Sequence, residues 1–306
     1  MANRWWIYQR ERFPVFAHTP VIAAFSLSAV GYSALLRGAN RMPGWKPCLV
    51  AFASSFLFFL QLRLADEFKD FEEDSRYRPY RPVPRGLVSL RDLAKVWVGC
   101  IVIQLALALW LAPRLIVLLL VTWTYLALMS KEFFARRWLK ARPITYMVTH
   151  MAIMPLVDLY TTSCDWAPTG AARPPHGLLW FLLVSFFNGM VVEMGRKLRS
   201  PQDEEEGVET YSFLWGRRNA VVAWLAMMAC TAGFAYVAAL RIDFVRPVFV
   251  LLLILFCAAV GAGFYFLQGA VPKRGKLIEA TAGVWSLLMY LGLGFVPMIS
   301  RQWNIG

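Results

Sequence analysis

Residues 66–86 read DEFKDFEEDSRYRPYRPVPRG and follow directly on an apolar run. Asp66, Glu67, Asp70, Glu72, Glu73 and Asp74 place six carboxylates within nine residues. Glu67, Asp70 and Asp74 are spaced i, i+3 and i+7, which on a helix puts them on one face. Carboxylates this close repel one another, and a divalent cation between them relieves that repulsion. Hard oxygen ligands suit Mg2+ or Mn2+, so Asp66, Glu67, Asp70 and Asp74 are the candidate metal ligands. Asp70 and Asp74 are also the candidate catalytic acids. Arg76, Arg78, Arg81 and Arg85 follow at once. Guanidinium forks match phosphate oxygens, and a metal site beside such cations is chemistry for a diphosphate, with Arg78 and Arg81 as its candidate contacts. A solvated helix end with capping and ion-pair roles is the plainer reading, and Glu72, Glu73 and Arg76 fit it best.

The elements that carry this segment are membrane helices. The chain has 306 residues, 58% of them hydrophobic, and a mean hydropathy of +0.50, above the usual share for a soluble domain. Apolar stretches of about 20 residues, enough to span a bilayer, fall at roughly 15–36, 47–67, 92–112, 114–130, 144–162, 178–195, 219–240, 246–267 and 278–299. The expected fold is all-α: a polytopic membrane protein of about nine transmembrane helices around a central cavity, in a single domain over 1–306. Lys and Arg concentrate in the N-terminal segment and in 69–95, 131–142, 196–218 and 273–276. The positive-inside rule then puts the N-terminus and the acidic loop in the cytoplasm. The loops after spans two, four and six form a cytoplasmic cap in this reading. The net charge of +13 follows this topology and does not call for nucleic acid. Trp5, Trp6 and Tyr8 read as an interfacial belt. The five scattered cysteines read as small buried residues.

Other residues are candidates by position. Lys131 ends span four ahead of the basic loop Arg136, Arg137, Lys140 and Arg142, where it reads as a diphosphate contact or as a positive-inside anchor. Tyr146 and His150 are i, i+4 on span five, and Tyr146 is a candidate catalytic residue facing the acceptor. An interhelical hydrogen bond is the ordinary alternative for both. Asp158 reads as structural, and Asn188 as helix glue or cavity lining.

The pattern Asp66-Glu67-x-x-Asp70-x-x-x-Asp74, with Arg81-Pro82 and Gly86 downstream, resembles the first motif of the UbiA-type intramembrane prenyltransferases, NDxxDxxxD. Asp66-Glu67 stands where that family commonly has Asn-Asp. The family's second motif, DxxxD ahead of Gly-x-x-Thr and a later Gly, is echoed by Gly207-Val-Glu-Thr210 and Gly216. The second carboxylate pair aligns either as Arg199 and Asp203 or as Glu193 and Lys197; Pro201 as a helix terminator favours the latter. In each alignment one acid is replaced by a base. The resemblance therefore implies Glu193 and Asp203 as further metal ligands and Lys197 and Arg199 as further diphosphate contacts.

The resemblance also implies an activity: Mg2+-dependent transfer of a prenyl group from a prenyl diphosphate to a small, hydrophobic or aromatic acceptor. Metal and cations would stabilise the departing diphosphate, and aromatic faces the allylic cation. Intramembrane terpene cyclisation on the same scaffold is the nearest alternative. A transporter with an acidic cytoplasmic vestibule is the alternative of another class. Transporters carry ionisable groups near the midplane, whereas these charges gather at one mouth.

Overall fold

Helices make up the regular structure of the computed structural model, which describes residues 3–303, and no strand occurs among those residues. The chain divides into two compact units. One takes the residues up to Val30 together with Pro43–Arg173; the other takes Gly31–Met42 and the chain from Pro174 onward.

The first unit holds α1 (Arg4–Arg12), the larger part of α2 (Val15–Leu36), α3 (Trp45–Lys69), α4 (Phe71–Tyr77), α5 (Leu90–Leu111), α6 (Leu115–Ser130), α7 (Arg136–Lys140), α8 (Pro143–Met151) and α9 (Ile153–Trp166). At about 1.5 Å per residue, α3 extends roughly 37 Å, longer than the hydrocarbon core of a bilayer. Polar side chains tie its buried face to its neighbours, as expected where lipid gives no hydrophobic drive for helix association. Ser55 Oγ lies 2.9 Å from Thr161 Oγ1 of α9. Gln104 of α5 donates to the Ser54 carbonyl at 3.1 Å and accepts from Trp123 Nε1 of α6 at 2.9 Å. At the motif end, Tyr8, Leu64, Val83, Val88 and Leu93 form one buried cluster, which fixes α1, the end of α3, the 81–88 loop and the start of α5 to each other. A capping box, in which Ser89 Oγ accepts from the Asp92 N–H and Asp92 from the Ser89 N–H, starts α5 where that loop ends.

The second unit holds the rest of α2, then α10 (Leu178–Arg196), α11 (Tyr211–Trp215), α12 (Arg217–Leu240), α13 (Val245–Leu267), α14 (Gly275–Tyr290), a π-helical turn at Leu291–Phe295 and α15 (Val296–Trp303). Trp224 Nε1 donates to the Val191 carbonyl at 3.2 Å, and Asn188 Nδ2 to Ser286 Oγ at 2.7 Å. Asn188 is thus helix glue, the first of its two expected roles. Gly275 opens α14 where any side chain is excluded, because a Cβ there would stand 2.2 Å from the Leu198 carbonyl oxygen.

All nine expected apolar stretches are helical, and among the described residues seven helices are long and apolar enough to cross a membrane: α2, α3, α5, α10, α12, α13 and the run from Gly275 to Trp303. The stretches at 114–130 and 144–162 fall outside that set. The first forms the 16-residue α6, and the second is divided at Ala152 into α8 and α9. Pro155 explains the division: without an N–H it leaves the Met151 carbonyl without its i→i−4 partner.

Candidate active site

The acidic segment is not one continuous helix. Helix α3 ends at Lys69, Asp70 takes φ −98° and ψ 7°, and α4 begins at Phe71. The i, i+3, i+7 face expected for Glu67, Asp70 and Asp74 is therefore interrupted at its middle member.

Arginines sort the carboxylates. Glu67 is only 2% exposed, and Arg12 Nε of α1 donates to its Oε1. Asp74, also 2% exposed, lies between two guanidinium groups. Arg81 Nη1 donates to Oδ2 at 2.6 Å, and Arg78 Nη2 stands 2.7 Å from Oδ1 in an ion pair whose angle does not make a directed hydrogen bond. Asp66 is more open, with Arg63 Nη1 at 3.3 Å and Lys69 Nζ at 3.8 Å. Asp70 is half-buried. Burial pushes its carboxyl above the usual carboxylate range; Lys69 opposes this, and Asp66, Asp74 and Glu73 add to it. No salt bridge to Asp70 occurs among the described residues.

The cations around the segment are committed in part. Arg85 donates to the Tyr80 carbonyl and to Glu11 Oε1, each at 2.9 Å. Arg78 Nε is buried without a hydrogen-bond acceptor. Arg76 is exposed and lies over the ring of Tyr77. Glu73 reaches the 131–142 loop, paired with Lys140 and, at 3.3 Å, with Arg136. Arg136 Nε also meets the buried Glu132 at 3.2 Å. The loops after α3 and α6 are therefore latched by Glu73. Lys131 is exposed at the end of α6. The turn beyond it is left-handed at three successive residues, Glu132, Phe133 and Phe134, with φ of 48°, 53° and 58°, a conformation costly for residues with side chains.

Tyr146 joins this set through Lys69. Lys69 Nζ donates to the Tyr146 hydroxyl at 2.8 Å, and the Tyr146 ring stacks on His150 with centroids 3.8 Å apart and planes 13° from parallel. His150 Nδ1 donates to the Tyr146 carbonyl at 2.9 Å, which fixes the tautomer. Asp158 is fully buried.

In the second unit, α10 ends at Arg196 with Lys197 as its cap, well before Pro201, which opens a short 3-10 turn instead. Glu193 pairs with Lys197 at 2.9 Å and with Arg196 at 3.0 Å. Arg199 Nη1 pairs with Glu205 at 3.1 Å, and the Arg199 N–H donates to Ser212 Oγ at 2.8 Å. Asp203 Oδ2 accepts the Lys273 backbone N–H at 2.6 Å, and Ser200 Oγ donates to the Val271 carbonyl at 2.7 Å. The 197–203 segment is thus pinned to the turn before α14.

Residues 24–287 match the model of the UbiA prenyltransferase family. The chain belongs to the UbiA prenyltransferase family. Its activity class is therefore prenyl transfer. A digeranylgeranylglyceryl phosphate synthase of Korarchaeum cryptofilum is 24% identical over 236 residues, 74% of this chain and 76% of that one. The fold is similar to that of a UbiA homologue from Aeropyrum pernix solved in its apo form, with a TM-score of 0.67, 14% identity and coverage of 92% of this chain and 97% of that one. It is also similar to a UbiA homologue from Archaeoglobus fulgidus solved with GPP and Mg2+, with a TM-score of 0.60, 14% identity and coverage of 96% and 99%.

The acidic segment of this UbiA member fits a Mg2+ ion through two carboxylates. Among the described residues no three His, Cys, Asp or Glu side chains converge as a metal cage, but Mg2+ ordinarily takes one or two carboxylates and fills its shell with substrate oxygens and water. Asp66 and Asp70 are the two left for that demand: Asp66 is part-exposed, with Arg63 only at 3.3 Å, and Asp70 has no salt bridge among the described residues, whereas Glu67 and Asp74 are buried against guanidinium groups. Two residues of this neighbourhood were not among the sequence candidates. Lys69 lies inside the motif, where its spacing assigned it no role. Arg12 lies 55 residues from Glu67, and no local pattern joins the two.

Proposed function

We propose that this UbiA member transfers a prenyl group from a prenyl diphosphate to a small, aromatic acceptor, with the diphosphate head at Asp66, Asp70, Arg78 and Arg81. The observation that supports this most directly is the sorting of partners: Asp74 is held by Arg78 and Arg81, whereas Asp70, four residues away, is half-buried with no salt bridge among the described residues. Mg2+, when bound by Asp66 and Asp70, supplies positive charge to the leaving diphosphate. Each guanidinium has five N–H donors, so Arg78 and Arg81 can hold Asp74 and still donate to phosphate oxygens. As the C–O bond breaks, the electron pair leaves with the diphosphate, and the allylic cation is drawn to aromatic faces. The stacked Tyr146 and His150 rings offer one, with Lys69 orienting the Tyr146 hydroxyl. Lys131 is proposed as a further diphosphate contact. In the second unit, Lys197 and Arg199 are the residues proposed to meet phosphate, each now paired with a carboxylate that a phosphate oxygen would replace. Glu193 and Asp203 remain proposed metal ligands there. The proposed orientation puts the N-terminus and the acidic loop in the cytoplasm.

A second reading takes a prenylated glyceryl phosphate as acceptor, supported by the name of the Korarchaeum relative. The test is incubation of the purified protein with Mg2+ and a radiolabelled prenyl diphosphate, with a phenolic acceptor, with a prenylated glyceryl phosphate, or with neither. Label in a prenylated phenol supports the main reading. Label in an ether lipid replaces it with the second. A cyclic hydrocarbon without acceptor would assign a cyclase, and no diphosphate release in any arm would overturn the proposal.

A further inference from the structure

We infer that α1 is a strap over the acidic segment, and that Arg12 is a positioning residue which takes Glu67 as its own counter-ion and so withholds Glu67 from the metal. The consequence for metal rests on the proposed function above; the strap itself does not.

Three ion pairs run from α1 to three successive elements of the chain. Arg12 meets Glu67 at the end of α3, Glu11 meets Arg85 in the loop at 2.9 Å, and Arg4 meets Asp92 at the start of α5 at 3.3 Å. The last two are solvent-exposed and hold little by themselves. Arg12 and Glu67 are different: their side chains are 11% and 1% exposed, and losing one partner of a buried pair leaves the other charge uncompensated. Apolar packing places α1 through the Tyr8 cluster but leaves the rest of the helix thinly packed. Tyr8 is the one buried residue of α1, and an apolar cleft of about 510 Å³, lined in part by Trp5, Phe13, Phe56 and Leu60, lies against the helix. Glu67 is the hydrogen-bonded partner of the Arg12 guanidinium, and Asp74 and Tyr8 act on it electrostatically. Burial works against its charge, and the attraction of Glu67 in particular outweighs that, so Arg12 stays a cation paired with Glu67. Arg12 lies ahead of the residues matched by the family model.

The test is a thermal-unfolding cycle on the full chain in detergent, with Arg12→Ala, Glu67→Gln and the double variant. Arg12→Ala should lower Tm by about 5 °C or more, and Glu67→Gln added to it should recover most of the loss, because the stranded charge is gone. Losses that simply add would overturn the strap; Arg12→Lys serves if Arg12→Ala does not fold. The same proteins are then titrated with Mg2+ in inorganic diphosphate, reading the rise in Tm. Glu67→Gln should keep the Mg2+-induced rise, as Asp70→Asn should not. Arg12→Ala should lower the half-saturating Mg2+ by about threefold or more, since the freed Glu67 carboxylate attracts the ion. Loss of the rise in Glu67→Gln would make Glu67 a ligand and overturn the inference. Absence of any rise in the unaltered protein would count against the proposed head-group site, with the strap still decided by the cycle.

Discussion

Lys69 donates a 2.8 Å hydrogen bond to the hydroxyl of Tyr146, which joins the last residue of α3 to α8 and brings an aromatic pair to the edge of the acidic motif. A hydrogen bond from a charged donor is worth about 1.5–3 kcal/mol. If the bond orients Tyr146 toward the reacting carbon, Tyr146→Phe should lower kcat by about tenfold or more, because the ring and its stacking on His150 survive while the hydroxyl is lost. Tyr146→Ala should lose more, since it removes the aromatic face as well. Equal kcat in Tyr146→Phe and the unaltered protein, measured as diphosphate release, would remove the hydroxyl from the mechanism.

The two aspartates of the motif should fail differently. Asp70→Asn removes a half-buried carboxylate whose charge burial disfavours and which has no salt bridge among the described residues, so stability should hold or rise while Mg2+-dependent diphosphate release is lost. Asp74→Asn strands Arg78 and Arg81 beside a buried amide, and breaking a buried pair costs about 3–5 kcal/mol. Its Tm should therefore fall together with activity. Unfolding curves beside the release assay separate the two, and identical behaviour would contradict the sorting of the carboxylates.

Glu73 predicts a pH-sensitive latch between two loops. Burial raises its carboxyl, but Lys140 and Arg136 outweigh burial and hold it below the usual carboxylate range. A group depressed on folding adds stability above its unfolded pKa, about 4.3 for Glu, and loses it as pH falls through the folded value. The contact should therefore be intact at neutral pH and open only in acid below that unfolded value. Hydrogen exchange in residues 132–142, corrected for intrinsic rates, should rise in that range. Glu73→Gln should show the faster exchange already at pH 7, and exchange unchanged in that variant would remove Glu73 as the latch.

The apolar stretches and the acidic motif were legible in sequence because each is a local pattern. Pro155 carried a readable signal for the break at Ala152. The interruption at Asp70 did not, since Lys69, Asp70 and Phe71 include neither Gly nor Pro. The division of labour among the carboxylates was hidden for a different reason. It depends on which guanidinium reaches which acid, and Arg12 reaches Glu67 only because a buried cluster around Tyr8 lays α1 across the end of α3. Residue type and spacing name a pool of ligands, and tertiary packing withdraws some of them.

Asp203 tests the same principle in the second unit. Its Oδ2 accepts the Lys273 N–H at 2.6 Å, beside the close approach of Gly275 to the Leu198 carbonyl. An asparagine keeps an oxygen in that position, so Asp203→Asn should retain the bond, while Asp203→Ala loses it at a cost of about 1 kcal/mol. The difference separates a structural role from an ionic one. If the carboxylate only pins the loop, Asp203→Asn should match the unaltered protein in Tm and Asp203→Ala should fall by a few degrees. If its charge serves a metal, the two variants should lose Mg2+-dependent diphosphate release alike, whatever their Tm. Gly275→Ala is the companion variant: a methyl group there must push the Leu198 carbonyl away, so its Tm should fall further than that of Asp203→Ala. A Gly275→Ala protein as stable as the unaltered one would show that the 197–203 segment is not held against α14 in the way these contacts require.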